Sequence, residues 1–364
     1  MKDEAHSAPD AQTELGALRA RIDGIDDAIL KLVSERAGIA QQVGRAKQGE
    51  RIYRPEREAQ IVRRLREANP GPLSGDTIER LIREIMSACR AVEETTRIAY
   101  LGPAGTFSQQ AVQKHFGHEA EALAEADIDA CFQAVETGRA DFAVVPVENS
   151  TEGAIGRTLD LIVTSPLKIC GEVMLPIHQM LMRKQAGLDG IRRVYGHAQS
   201  LAQCQQWLSR HLPGAERVSV VSNSDGARRA AEEPDAATLG SEAAAALYGL
   251  TVVEARVEDD ASNATRFLVV GQSDAAPSGR DKTSLVMSTK NEPGAVVKLL
   301  QPLADAGISM SKLESRPARS GNWEYLFFVV CEGHRQDAKL AGALADIEAR
   351  AAYLRVLGSY PAAS

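Results

Sequence analysis

The spacing of hydrophobic positions changes twice along the chain, which divides it into three parts. Residues 13–95 place apolar side chains at three- and four-residue steps, the spacing of amphipathic helices. Residues 98–271 alternate short apolar runs with helical patterns. After a polar, turn-rich stretch, residues 283–361 form a compact mixed unit. The predicted units are a disordered terminus (1–12), a helical domain (13–96), an α/β domain (97–272), a linker (273–282) and a mixed domain (283–364).

The first helical pattern is too long for a small domain. If it is continuous over residues 13–48, the helix measures roughly 50 Å at 1.5 Å per residue, so it needs a partner along its length. This favours a helical dimer. Shorter helices are predicted around Arg57–Ala68 and from Ser74 or Asp76 onward, since either residue can cap a helix. The apolar stripe of the long helix contains Leu15, Leu18, Ile22, Ile25, Ile29, Leu32, Ile39 and Val43.

Charged side chains fall on the apolar faces of these helices. Arg36 lies within the stripe, Arg19 flanks it, and Lys47 is about 20° from Arg36 on the helical wheel. Glu93 faces inward on the predicted third helix. Inward charges cost several kcal/mol unless they are paired, and two explanations are open. The charges form an interhelical ion network, or they line a pocket for a small dicarboxylate.

The middle part has the pattern of an α/β domain with substantial parallel pairing. Polar clusters lie beside its apolar runs, at 148–151, 196–200 and 262–266. Ligands of such folds gather at strand ends, but turn and helix-cap chemistry explains most such clusters equally well. The predicted strands are Ile98–Leu101, Phe142–Val147, Ile169–Met174, Arg193–Tyr195, Val218–Val221 and Phe267–Val270, with a helix near Phe107–Phe116.

The last part follows a βαββαβ order, which is typical of a ferredoxin-like fold. A packing or dimerisation module is the plain interpretation, because the segment contains no catalytic constellation.

The charge, the aromatic content and the cysteine spacing of the chain argue against several functional classes. The net charge of -7 and the 4% aromatic content disfavour nucleic-acid binding. No apolar run approaches the roughly 18 residues of a membrane span, and the first dozen residues contain no signal-peptide core. The five cysteines are scattered, which indicates free thiols in a reducing compartment. A cytoplasmic protein without a nucleic-acid or membrane partner is expected.

The helical domain contains LRARIDGIDDAILKLVSERAGIAQQVGRAK followed by YRPERE, and it resembles the all-helical chorismate mutase family. The resemblance implies an intertwined dimer that rearranges chorismate to prephenate, with Arg19 reaching across from the partner subunit. Some members have Asp at the place of Arg54, Ser at Cys89 and Gln at Glu93. The implied site residues are Arg19, Arg36, Arg57, Glu58 and Cys89 for substrate binding, with Lys47 and Glu93 bracketing the ether oxygen.

The α/β domain contains GPAGTFS, VPVENSTEGAIGRTLD, GHAQSLAQC and NATRFLVVG, and it resembles the prephenate dehydratase family. The resemblance implies two lobes around a cleft, like those of a solute-binding protein, with Thr265 as the key catalytic hydroxyl. Arg266 is the expected carboxylate clamp, and Gly196 stands where a Ser is common. The implied substrate-binding residues are Thr106, Asn149, Ser150, Gln199, Gln203, Arg266 and Phe267.

The mixed domain contains EPGAVVKLL and ESRP, and it resembles the ACT regulatory domain. The resemblance implies that phenylalanine binds at a dimer interface and inhibits the dehydratase. The implied effector residues are Gly294, Ala295, Val296, Glu314, Ser315, Arg316 and Pro317.

Together the three resemblances predict a homodimeric or larger bifunctional enzyme that needs neither a metal ion nor an organic cofactor. The competing hypothesis is a non-enzymatic amino-acid sensor with a helical dimerisation domain. The inward charges distinguish the two hypotheses, because a simple dimerisation helix does not need Arg36 and Lys47 on its apolar face.

Overall fold

A computed structural model of the 364-residue chain describes residues 8–46, 53–290, 292–317 and 325–363. A helical domain is followed by a two-lobed α/β domain and then by a small domain with an antiparallel sheet. The predicted fold class is therefore confirmed. None of the helices in the described ranges is long and apolar enough to cross a membrane. All five cysteines are buried, and none of them forms a disulfide.

The N-terminal domain consists of three helices. Ser74 caps the third, because its hydroxyl accepts a hydrogen bond from the backbone N–H of Thr77 at 3.2 Å. Two expectations are corrected: the first helix begins inside the segment expected to be disordered, and the third ends before Glu93. The helices are α1 (Ala8–Ala46), α2 (Pro55–Glu67) and α3 (Gly75–Ala91).

The apolar stripe of α1 is not covered within one chain. Its eight predicted members are between 45 and 64% exposed. Helix α1 packs against α3, and the amide of Gln41 donates to the carbonyl of Val92 at 3.4 Å. A surface of this apolar length is characteristic of an interface with another molecule.

The α/β domain contains two mixed sheets. The first has the order β2-β1-β3-β11-β5, with β4 beside β3, and the second has the order β10-β6-β9-β7-β8. The elements are β1 (Arg97–Leu101), α4 (Phe107–Phe116), β2 (Glu121–Glu125), α5 (Ile128–Glu136), β3 (Phe142–Asn149), β4 (Gly153–Ala154), α6 (Gly156–Thr164), β5 (Lys168–Pro176), β6 (Met180–Arg183), β7 (Arg193–His197), α7 (Ala198–Gln203), α8 (Gln205–His211), β8 (Glu216–Val220), α9 (Asn223–Glu232), β9 (Ala236–Gly240), α10 (Glu242–Tyr248), β10 (Thr251–Glu254) and β11 (Ala264–Gly271).

Strand β11 returns from the second sheet to the centre of the first. It pairs antiparallel with β3 and β5, whereas β1 pairs parallel with β2 and β3. The strand includes Thr265 and Arg266, which the sequence placed in a loop before the strand. Because successive side chains of a strand point to opposite faces, these two residues face different surroundings.

The C-terminal domain has the predicted βαββαβ order. Its sheet has the order β13-β14-β12-β15 with antiparallel pairing throughout. One face packs on the domain's two helices, and the other packs on the α/β domain, where Tyr360 and Phe328 join the core of the first lobe. The elements are β12 (Asp281–Ser288), α11 (Ala295–Asp305), β13 (Met310–Pro317), β14 (Tyr325–Glu332), α12 (Ala338–Glu348) and β15 (Tyr353–Pro361).

Candidate functional site

A cleft of about 800 Å³ lies between the two lobes of the α/β domain. The loop between β1 and α4 borders it, and the second lobe holds this loop through two hydroxyls. Ser224 donates to the carbonyl of Ala104 at 2.5 Å, and Ser241 donates to the carbonyl of Gly105 at 2.7 Å. The glycine-rich loop is thus held against both lobes at the mouth of the cleft.

Asn149 and Thr265 form the centre of the cleft. They are direct cross-strand partners at the ends of β3 and β11, and both are buried. The Asn149 amide donates to the Thr265 hydroxyl oxygen and to Asn263 Oδ1, at 3.0 Å in each case. Since the Thr265 oxygen accepts this bond, its own proton can be directed at a ligand. The arrangement presents an oriented O–H donor in a recessed site.

Amide side chains from both lobes form a hydrogen-bonded network beside Asn149 and Thr265. Gln203 Oε1 accepts from Asn263 at 3.0 Å and from Gln179 at 3.4 Å. Asn223 and Gln179 both donate to the Ser200 hydroxyl, at 2.8 and 3.1 Å. Gln179 is only 1% exposed, and its Oε1 has no hydrogen-bond partner among the described residues. Gln179 lines the cleft, and this buried oxygen is an unused acceptor in the cleft wall.

Gln179 and Asn223 line the cleft, but neither was predicted from the sequence as a cleft residue. Gln179 follows His178 directly before β6, and Asn223 begins α9 in a segment typical of ordinary helix capping. Neither stood in one of the polar clusters that drew attention to the other cleft residues.

The remaining predicted cleft residues divide into two groups. Thr106, Gln199 and Phe267 line the cavity. Ser150 is exposed, and its hydroxyl accepts from the backbone N–H of Ala264 at 3.0 Å. Gly196 is buried beneath the cleft, where a Cβ atom would lie 3.2 Å from Leu201 Cγ. A serine at position 196 would therefore meet Leu201.

Arg266 does not reach the cleft, which corrects the expected role as a carboxylate clamp. Its guanidinium donates to Glu172 Oε2 at 2.9 Å and to the Tyr360 hydroxyl at 3.1 Å. Burial alone would raise the pKa of Glu172, but Arg266 and Lys282 outweigh burial and hold that pKa below its usual value. Burial raises the pKa of Tyr360 to about 12. Arg266 therefore belongs to the contact with the C-terminal domain.

The predicted residues of the helical domain differ widely in their exposure within a single chain. Arg19, Arg54 and Arg57 are exposed, Arg36 is half-buried and Cys89 is buried. Lys47 lies outside the described residues.

Glu93 lies just beyond α3 and packs against α1. A Cβ at Gly44 would come 2.6 Å from Glu93 Oε2, so the absence of a side chain at Gly44 gives the carboxylate room beside α1.

Glu58 lies at the contact between the helical domain and the α/β domain. It is buried in an ion pair with Arg90, whose guanidinium also donates to the carbonyl of Phe116 at 2.6 Å. Nearby, the Tyr53 hydroxyl and His115 Nε2 are 2.7 Å apart in a hydrogen bond. Burial, reinforced by Arg83 and Arg90, lowers the pKa of His115 well below its usual value. This histidine therefore lies at the contact between the two domains.

The predicted effector residues lie in two places on the C-terminal domain. Gly294 caps α11 with φ of +74°, a conformation that favours glycine, and Ala295 and Val296 begin that helix. On β13, Ser315 and Pro317 are exposed. The other two members, Glu314 and Arg316, are half-buried, and Arg316 approaches Asp160 of α6 at 3.5 Å. The ESRP segment therefore touches the α/β domain directly.

Three protein-family models match consecutive parts of the chain. Chorismate mutase type II matches residues 18–94, prephenate dehydratase matches residues 98–275, and the ACT domain matches residues 283–349. Together these matches cover all three structural units in order.

Whole-chain relatives carry the same combination. A bifunctional chorismate mutase/prephenate dehydratase of Neisseria gonorrhoeae is 52% identical, and the match covers 95% of this chain and 96% of the relative. The enzyme of the same description from Pseudomonas aeruginosa is 46% identical, over 97% of this chain and 99% of the relative.

A solved structure resembles the second and third domains. It is a prephenate dehydratase from Arthrobacter aurescens in complex with L-Phe, 33% identical, with a TM-score of 0.67. The match covers 73% of this chain and 90% of that chain.

Proposed function

Because this chain belongs to the bifunctional chorismate mutase/prephenate dehydratase family, it rearranges chorismate to prephenate and converts prephenate to phenylpyruvate, and we propose that Thr265 and Asn149 carry the second reaction. The hydrogen bond from the Asn149 amide to the Thr265 hydroxyl oxygen, 3.0 Å long inside the cleft, is the observation that carries this assignment.

In the dehydratase reaction, prephenate loses carbon dioxide and its ring hydroxyl together. The electron pair of the breaking C–carboxylate bond enters the ring as the C–O bond breaks, and the hydroxide leaves as water after accepting a proton. Aromatisation drives the step, so the protein must orient the ring and stabilise the departing oxygen. Thr265 lines the cleft, and we assign its O–H as the donor to this oxygen. Gln179, Gln199 and Gln203 supply further polar contacts around it.

In the mutase reaction, the protein holds chorismate in a folded conformer and stabilises charge that develops on oxygen. We assign the substrate carboxylates to Arg36, to Arg57 and to Arg19 of a second copy. Lys47 and Glu93 bracket the ether oxygen, and Cys89 contributes to the wall. Glu58 is committed to Arg90 and holds the bundle on the α/β domain instead. A homodimer follows from the exposed stripe of α1, because one chain leaves that stripe uncovered.

Replacing Glu93 with Gln is expected to change the pH dependence of the mutase. Only a protonated carboxyl can donate a hydrogen bond to the ether oxygen, so the wild-type kcat/KM should fall as Glu93 deprotonates. The Glu93→Gln variant donates at every pH and should have a nearly flat profile. Chorismate loss measured by ultraviolet absorbance from pH 5 to 8 tests this. A flat wild-type profile would remove Glu93 from the donor role.

The effector of the C-terminal domain is phenylalanine in our proposal, bound by the segments around Gly294–Val296 and Glu314–Pro317. The L-Phe complex of the Arthrobacter aurescens relative supports this chemistry. The biosynthetic role of the relatives supports a cytoplasmic location.

Adding phenylalanine is expected to reduce phenylpyruvate formation from prephenate. Product analysis with chorismate as substrate, with and without phenylalanine, measures both reactions and their inhibition. Tyrosine at equal concentration serves as the specificity control. Absence of both products would favour the amino-acid sensor, whereas products without inhibition would reject only the effector assignment.

A further inference from the structure

The catalytic pair in the cleft has a charged counterpart on the opposite face of the same sheet. In the register of β3 and β11, Asn149 pairs with Thr265, and the adjacent pair is Glu148 with Arg266. Arg266 Nη1 is 3.7 Å from Glu148 Oε2. Because neighbouring residues share one backbone, a displacement of the charged pair also displaces the amide and the hydroxyl in the cleft.

The C-terminal domain contacts this charged pair from β13 and β15. Lys312 Nζ lies 2.9 Å from Glu148 Oε2, and the Tyr360 hydroxyl accepts from Arg266. Arg266 is held further by Glu172, whose side chain is fully buried and also accepts from Lys282 at 2.7 Å. Arg266 is therefore held by more than one partner. On the other strand of the pair, Glu148 is contacted by Lys312, a cation of the C-terminal domain.

Lys312 also connects Glu148 to the ESRP segment. Its ammonium is 3.3 Å from Glu314 Oε2, and its side chain is only 12% exposed. One ammonium therefore serves two carboxylates, one beside Asn149 and one in the segment assigned to the effector. Both carboxylates are partly exposed and lie within 3.3 Å of the same ammonium, so removing this cation would leave two like charges near each other without their shared counter-ion.

We propose that Lys312 is a positioning residue for the dehydratase reaction, which holds Glu148 against Glu314 and thereby sets the geometry of Asn149 and Thr265 from the C-terminal domain. Lys312 touches neither substrate nor reacting atoms. The inference rests on the proposed function, in which Thr265 acts on prephenate. It gives the ESRP segment a direct route to the catalytic pair, through Glu314, Lys312 and Glu148.

The test is Lys312→Met in the full-length protein, since methionine keeps an unbranched chain without the charge. We expect the dehydratase kcat to fall roughly tenfold, because small displacements of reacting groups are costly. The KM for prephenate should stay within about twofold, and the mutase rate should not change. Lys312→Arg should restore most of the rate. The matched control Lys339→Met removes an exposed lysine of α12 and should leave both activities unchanged.

A second variant separates positioning from general loss of structure. Lys312→Met/Glu148→Gln removes the repulsion as well as the cation, so its kcat should exceed that of Lys312→Met. This comparison remains valid if Lys312→Met alone folds poorly.

The inference is overturned if Lys312→Met keeps the kcat of Lys339→Met, or if the arginine and double variants recover nothing. Thr265→Ala in the same assay tests the underlying assignment. An inactive Thr265→Ala with a fully active Lys312→Met rejects the positioning role alone, whereas an active Thr265→Ala rejects the proposed site.

Discussion

Replacing Thr265 with alanine is expected to lower the dehydratase kcat by roughly 100- to 1,000-fold, the range observed when one preorganised donor is removed from an active site. The hydroxyl lies in the cleft, fixed by the Asn149 amide at 3.0 Å. Its removal deprives the departing oxygen of its donor while the shape of the cleft changes little. The mutase rate should persist, because Thr265 lies in the α/β domain and the inward charges lie on the helical domain.

Phenylpyruvate formation from prephenate and chorismate loss, measured on one preparation, provide the comparison. Thr265→Ser keeps the hydroxyl and should retain much of the dehydratase rate, whereas Thr265→Val keeps the volume and should behave like alanine. Equal dehydratase rates in wild type and Thr265→Ala would show that another group assists the leaving oxygen.

The segment Thr265–Phe267 was identified from the sequence as part of the site, but the role predicted for one of its residues was wrong. The motif identified Thr265, Arg266 and Phe267 together, and a loop assignment for Thr265 and Arg266 allowed both of them to contact a ligand. In β11 the side chains alternate, so Thr265 and Phe267 line the cleft while Arg266 contacts Glu172 and Tyr360 on the other face. The predicted strand began at Phe267, whereas β11 begins three residues earlier at Ala264, and this difference changed the function assigned to Arg266.

Elements with strong periodicity were predicted well, and alanine-rich strands were not. Helix α4 has the predicted bounds, Phe107–Phe116, and the C-terminal βαββαβ order is confirmed. Strands β2 (EALAE) and β9 (AATLG) were missed, because alanine favours helices in isolation and only the neighbouring strands make these segments extended. The short strands β4, β6 and β10 were missed as well.

The proposed mutase site could be predicted only as a set of residues, because one chain leaves the helix face beside them uncovered. Arg36 is half-buried and Arg19 is exposed on α1, beside an uncovered apolar stripe. The burial and the charge partners of a cation on such a face depend on the molecule that covers the helix. The sequence reveals the stripe and its charges, whereas in the dimer that we propose the distances between the charges are set by the second molecule.

Replacing Ile29 with glutamate is expected to reduce the mutase kcat/KM by roughly 100-fold or more. A charge at the middle of the stripe opposes burial of the stripe in the proposed dimer and misplaces the arginines to which we assign the substrate carboxylates. Ile29 is 53% exposed in one chain and occupies the centre of the apolar face. The dehydratase rate should change far less, since the cleft lies in another domain. Chorismate loss and phenylpyruvate formation measure the two effects, and light scattering reports the size of the assembly.

Ser34→Glu is the matched control, because it adds the same charge to the same helix on the face opposite the stripe. It should keep the mutase rate and the assembly size of the wild type. A C-terminal domain that also associates could keep the Ile29→Glu chains together, so the mutase rate is the deciding measurement rather than the mass. If Ile29→Glu rearranges chorismate as fast as Ser34→Glu, the stripe does not help form the mutase site, and Arg19 and Arg36 must bind substrate within a single chain.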